Sequence, residues 1–148
     1  MLKKLMATIL CVLTLSVQSA PSFAGTSNRM IVTMVVAANS GSDFNMDNDA
    51  YRDKLMKLFS YSSYIQKDLK KLDMEVGKTQ NLDLLEGYNL ELTMKQDDGK
   101  KILVRAVIIK NHKIYIDTEL SIEKPGVFFM GGPTLTNGDL ILILENGY

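Results

Sequence analysis

The chain has 148 residues, with 17 basic and 17 acidic side chains, one histidine, one cysteine, nine methionines and no tryptophan. A charge balance this even offers no continuous basic surface for phosphate neutralisation, which excludes a nucleic-acid partner of the ordinary electrostatic kind. The length suits one domain around one core.

Residues 1–24 read as a leader. Lys3 and Lys4 precede an apolar run, Leu5 to Val17, broken only by Thr8, Thr14 and Ser16, and Ser22-Phe23-Ala24 places small residues at the two positions a signal peptidase reads. The pattern predicts cleavage between Ala24 and Gly25. The run is shorter than the about 20 residues of a transmembrane helix, so no transmembrane anchor is expected after cleavage. Residues 25–148 keep 15 basic and 17 acidic side chains, a net charge of −2. Cys11 leaves with the leader, so the mature chain has no disulfide, thiolate ligand or thiol nucleophile. Thr8-Ile9-Leu10 ahead of Cys11 lacks the small residue that lipid attachment requires. An exported chain without disulfides points to a bacterial periplasm in preference to the extracellular space.

From Arg29 to Ala38 the chain is apolar on both faces of a predicted strand, which suits a covered, central position. Asn39–Asp49 is a polar loop, after which Asn48 or Asp49 can cap a helix running to about residue 60. Tyr51, Leu55, Leu58 and Phe59 form its apolar stripe. Residues 61–77 carry mixed signals, and the Ser-rich aromatic start favours a strand over Tyr61–Leu69. Tyr88 to Lys95 alternates strictly, Gln96–Gly99 is a turn, and Ile102–Ile109 is apolar on both faces apart from Arg105. Asn111-His112 is a tight turn. Beyond it Ile114, Ile116, Leu120 and Ile122 are expected to face inward, with Tyr115, Asp117, Glu119 and Glu123 outward. Lys124-Pro125-Gly126 ends that strand, Val127–Met130 forms another, Asn137-Gly138 turns the chain, and Leu140–Leu144 closes it. Together these predict an α+β fold: mostly antiparallel β, about seven or eight strands, sandwich-like or a partly closed barrel, with one helix inserted near the N-terminus and plugging one end.

Candidate sites are few. Asp43, Asn45, Asp47 and Asp49 copy the first half of a calcium loop, but Asn48 stands where glycine belongs and Lys54 where the bidentate glutamate belongs. The expectation is therefore no cofactor, with calcium at this loop as the one metal alternative. His112 reads as a turn residue. The seven mature methionines are scattered, which suits core filling rather than copper ligation. Lys67, Lys70 and Lys71 alternate with acids as a solvated face does. Asp117 and Glu119, two apart on one strand, are the only paired carboxylates and also suit solvation. Gly131-Gly132-Pro133 lacks the spacing of a phosphate loop, and its glycines are expected to serve a turn, a bulge or a close backbone approach. Because Phe128, Phe129 and Met130 lead into it, Phe128 to Pro133 is the expected partner-binding segment.

These readings favour an exported, non-enzymatic interaction or structural module of the bacterial envelope that binds a protein or surface polymer. The alternatives are a small-molecule or ion carrier with a cavity at the sheet's end, and a carboxylate-based hydrolase using Asp117 and Glu119.

Overall fold

The structure, a computed structural model, describes residues 28–147. The expected leader and its cleavage site lie outside the described residues. In chain order the elements are β1 (Asn28–Ala38), β2 (Phe44–Asn45), a 3-10 turn (Asp49–Tyr51) leading into α1 (Arg52–Leu58), β3 (Ser63–Met74), β4 (Thr79–Asp83), β5 (Asn89–Asp97), β6 (Lys101–Lys110), β7 (Lys113–Glu123), β8 (Gly126–Leu135) and β9 (Gly138–Asn146). They form a five-stranded sheet in the order β2-β3-β1-β9-β8 and a four-stranded sheet in the order β4-β5-β6-β7. Neighbours run antiparallel except β2 against β3. The mostly antiparallel α+β architecture is a sandwich, and no barrel closes.

Alternation explains the layers. Met30, Val32 and Met34 of β1 and Leu140, Leu142 and Leu144 of β9 point between the sheets. There they meet Leu90, Leu92 and Met94 of β5 and Ile102, Val104, Ala106 and Ile108 of β6. The intervening residues Val35, Ala37, Ile141 and Ile143 point to the other face, where Tyr51 and Leu55 cover them. The helix therefore lies on the outer face of the five-stranded sheet and does not plug an end. A two-sided strand needs cover on both faces, and β1 and β9 obtain it from the second sheet and the helix. The outer face of β6 is covered less evenly: Arg105 is exposed and Leu103 and Ile109 are half-buried, while Val107 is buried.

Other boundaries also differ from expectation. The helix ends at Leu58, which is 61% exposed, while Phe59 beyond it packs under the sheet. Asn48 is the cap, its Oδ1 accepting from the Ala50 amide at 3.0 Å. Two strands absent from the sequence reading are the short β2 and β4. The third strand runs to Met74 because of a bulge: β1 pairs Met34 with Asp68 and Val35 with Gln66, leaving Lys67 unmatched. That extra residue resets the alternation, so Ile65 and Leu72 share the inner face despite their odd separation. A second shift falls between Ile108 and Ile109, which pair with Ile116 and Ile114 and leave Tyr115 over. It turns Ile114 outward, to 56% exposure, where an inward side chain was expected. Met30, Met34, Met74 and Met94 are fully buried core residues, whereas Met56 is exposed.

One end of the sandwich is tied by a charged cluster. Asp97 Oδ2, at the end of β5, accepts from Lys124 Nζ at 2.8 Å and from Asn28 Nδ2 at 2.8 Å. The side chains are 5% and 17% exposed for Asp97 and Lys124. The Lys124 hydrogen bond, backed by donation from the Gly99 amide and Asn28, pulls the Asp97 carboxyl down to about 2.

Candidate functional site

The opposite end of the sandwich stands open. A cleft of about 410 Å³ lies there. Its apolar lining comes from Val36 and Ala38 at the end of β1, Ile65 of β3, Leu85 between β4 and β5, and Leu135 at the end of β8. Ser40, Asp43, Ser63, Lys67, Glu86 and Asn137 supply the polar groups. Val36 and Ile65 are register partners, as are Ala38 and Ser63, so four of the lining residues form one small patch on the inner face of two paired strands. Lys67 is the bulge residue of β3, which places it at this position outside the regular alternation.

Glu86 is held by two local features. Its backbone is left-handed, with φ 55° and ψ 33°, and Gly87 follows at φ 78°. A non-glycine residue in that region is uncommon and carries strain. Both carboxylate oxygens accept from the Thr136 amide, at 3.0 and 3.1 Å, so Glu86 fastens the β8–β9 turn of one sheet to the β4–β5 connection of the other. Ser63 is 3% exposed and pairs with Ala38 in this wall of the cleft.

The calcium-loop residues take separate places in the fold. Asp43 lines the cleft, Asp47 Oδ2 accepts from Gln66 Nε2 at 2.7 Å, Asn45 belongs to β2, and Asp49 opens the first turn of the helix. Among the described residues no three His, Cys, Asp or Glu side chains come together as metal ligands would.

Phe128 to Pro133 continues the expected strand beyond Met130. It lies within β8, whose pairing with β9 shifts between Gly131 and Thr134. A Cβ on Gly132 would stand 2.9 Å from the Leu140 carbonyl oxygen, so the backbone approach needs glycine there. Phe128 packs between the sheets and Met130 is buried there. Phe129 packs on the other face, its ring edge-on to Tyr51 with centroids 5.6 Å apart. The large apolar side chains that stay exposed are Met56, Leu58, Leu69, Val76, Ile114 and Tyr115. None of these belongs to the expected partner-binding segment Phe128–Pro133.

Asp117 accepts both Nε and Nη2 of Arg105, at 2.9 and 2.7 Å, and that bidentate pair holds its carboxyl below the usual range. Glu119 faces the same Arg105 across the strands, on the exposed side of the four-stranded sheet. His112 occupies the β6–β7 turn and does not line the cleft.

Of the cleft residues, sequence reasoning singled out Asp43 and Lys67, each for another reason. The signals that could have located the site were Glu86-Gly87, a turn pair, and the broken alternation around Lys67. No protein-family model matches the chain, and no curated protein or solved structure matches it either.

Proposed function

We propose that the chain is an exported, non-enzymatic binding module that holds a small amphiphilic molecule in the cleft between its sheets. The carrying observation is the cleft itself: its 410 Å³ falls within the about 300–1,000 Å³ of ordinary ligand sites. Its composition supports the same reading, because an apolar floor of Val36, Ile65, Leu85 and Leu135 accepts an apolar body while Asp43, Ser63 and Lys67 offer polar contacts to a head group. The test is a fluorescence titration with N-phenyl-1-naphthylamine, a neutral apolar probe. Wild type is expected to enhance its emission, and Ala38→Phe, which fills the cleft, to weaken binding about tenfold while the melting temperature holds. Equal binding by the folded variant, or none by wild type, contradicts the proposal.

A second reading keeps Phe128, Phe129, Met130, Gly131, Gly132 and Pro133 as a contact for an envelope protein or surface polymer. It is favoured by β8 being an edge of the five-stranded sheet, where a partner strand could add. Phe129→Ser tests it, provided the variant folds, by weakening partner capture.

A further inference from the structure

The hairpin that joins β6 to β7 has a composition unlike any other exposed turn of the molecule. Asn111 and His112 both have positive φ, at 51° and 62°, the pattern of a tight hairpin turn. Lys110 and Lys113 flank that turn, and Ile114 and Tyr115 follow it at 56% and 44% exposure. The Tyr115 ring stands edge-on to Tyr88 with centroids 5.1 Å apart. Lys110 Nζ lies 4.6 Å from the Tyr88 centroid, and Lys113 Nζ lies 5.2 Å from that of Tyr115. The ammonium groups are thus held beside aromatic rings, and residues 110–115 contain no acidic side chain. Glu86, whose charge reaches Tyr88, is engaged by the Thr136 amide.

We propose that this hairpin tip docks the protein on an anionic lipid surface. An exposed branched aliphatic side chain, a tyrosine with a polar end and two flanking ammonium groups match the layering of a bilayer interface. There apolar groups enter the acyl boundary, tyrosine sits at headgroup depth and lysines reach outward to phosphates. Charge complementarity selects anionic headgroups, each lysine near such a surface contributing on the order of 1 kcal/mol. A single-stranded nucleic acid is a poorer match, since one exposed aromatic ring gives little to stack on and Ile114 gives nothing. The tip is rigid as well as amphipathic, because Tyr88 anchors Tyr115 from the buried side of the fold. This inference does not depend on the cleft: each fails or survives by its own residues.

The chain has no tryptophan, so Ile114→Trp supplies a single reporter. The experiment uses the mature chain with vesicles of phosphatidylcholine, either pure or containing about one third phosphatidylglycerol, and follows co-sedimentation and the reporter's emission. The tryptophan is expected to shift to the blue with the anionic vesicles only. Binding should fall at least about fivefold in the Lys110→Gln, Lys113→Gln double variant and in about 0.5 M salt. Ile114→Ser in the otherwise natural chain should weaken binding similarly, with an unchanged melting temperature showing that the fold is intact. Equal binding to pure phosphatidylcholine, no binding to either vesicle, indifference to Ile114→Ser, or capture of a single-stranded oligonucleotide without vesicle binding would each overturn the proposal.

Discussion

The two ends of the sandwich solve the same problem in opposite ways. At the end marked by Asn28, Asp97 and Lys124, these polar groups are drawn inside and bonded to one another, with Ile102 and Ile122 packed tightly below them, although the buried side-chain amide of Asn146 nearby makes no hydrogen bond among the described residues. At the end marked by Val36, Ile65 and Glu86, the sheets leave a gap, and Asp43, Ser63 and Lys67 line it among apolar side chains. Closure at one end gives stability; opening at the other leaves a surface for something else to satisfy. The contrast makes each end separately breakable.

The largest difference is expected from apolar truncation. Ile102→Ala removes a fully buried side chain at the closed end and should cost about 3 kcal/mol in denaturant unfolding. Ile65→Ala, whose wall is already open to the cleft, should cost about 1 kcal/mol or less, because no enclosed cavity is created. Similar losses at the two sites would mean that the cleft is as well packed as the core.

Next in size is the charged cluster. Asp97→Ala leaves the Lys124 ammonium poorly exposed and unpaired, and should cost about 2–3 kcal/mol. The same carboxylate sets an acid window. Its folded value of about 2 lies below the ordinary aspartate value near 3.9, so the folded state binds its proton less readily than the unfolded chain. The Asp97 contribution is therefore fully present above about pH 4 and is lost as pH falls towards 2. Unfolding measured from pH 5 to 2 should show this loss in wild type and a shallower one in Asp97→Asn. A smaller effect is expected from Tyr51→Phe. It deletes the 2.6 Å bond from Tyr51 Oη to Glu145 that helps hold the helix to the sheet, at a cost of about 1 kcal/mol.

Much of the closed part of the molecule is legible in the sequence. The two-sided apolar runs of β1 and β9 announce central strands with cover on both faces, and Asn48 announces the start of the helix. The helix position is not legible, because an amphipathic stripe says that a face is buried without saying against what. Phe128–Met130, read as a strand, misled for a related reason: aromatics beside glycines look like an exposed contact until alternation within β8 sends one ring to each face. Single-residue bulges hid the rest. Lys67 and Tyr115 each break the period of two, and the first of these sits in the cleft while the second turns Ile114 to solvent. The cleft itself gathers residues from four separate stretches of chain and leaves no local pattern. Glu86 is the nearest thing to a signal, since its left-handed backbone is a cost that local sequence alone does not explain.

The central claim, that the open end is a ligand site, is tested most directly by mapping amide chemical shifts as N-phenyl-1-naphthylamine is added to isotope-labelled mature protein. Saturable shifts are expected at Val36–Ala38, Ser63–Lys67, Leu85–Gly87 and Leu135–Asn137, with Asn28, Asp97 and Lys124 unmoved. Shifts centred on the closed end or on Phe128–Met130, or no saturable shifts at all, would contradict it.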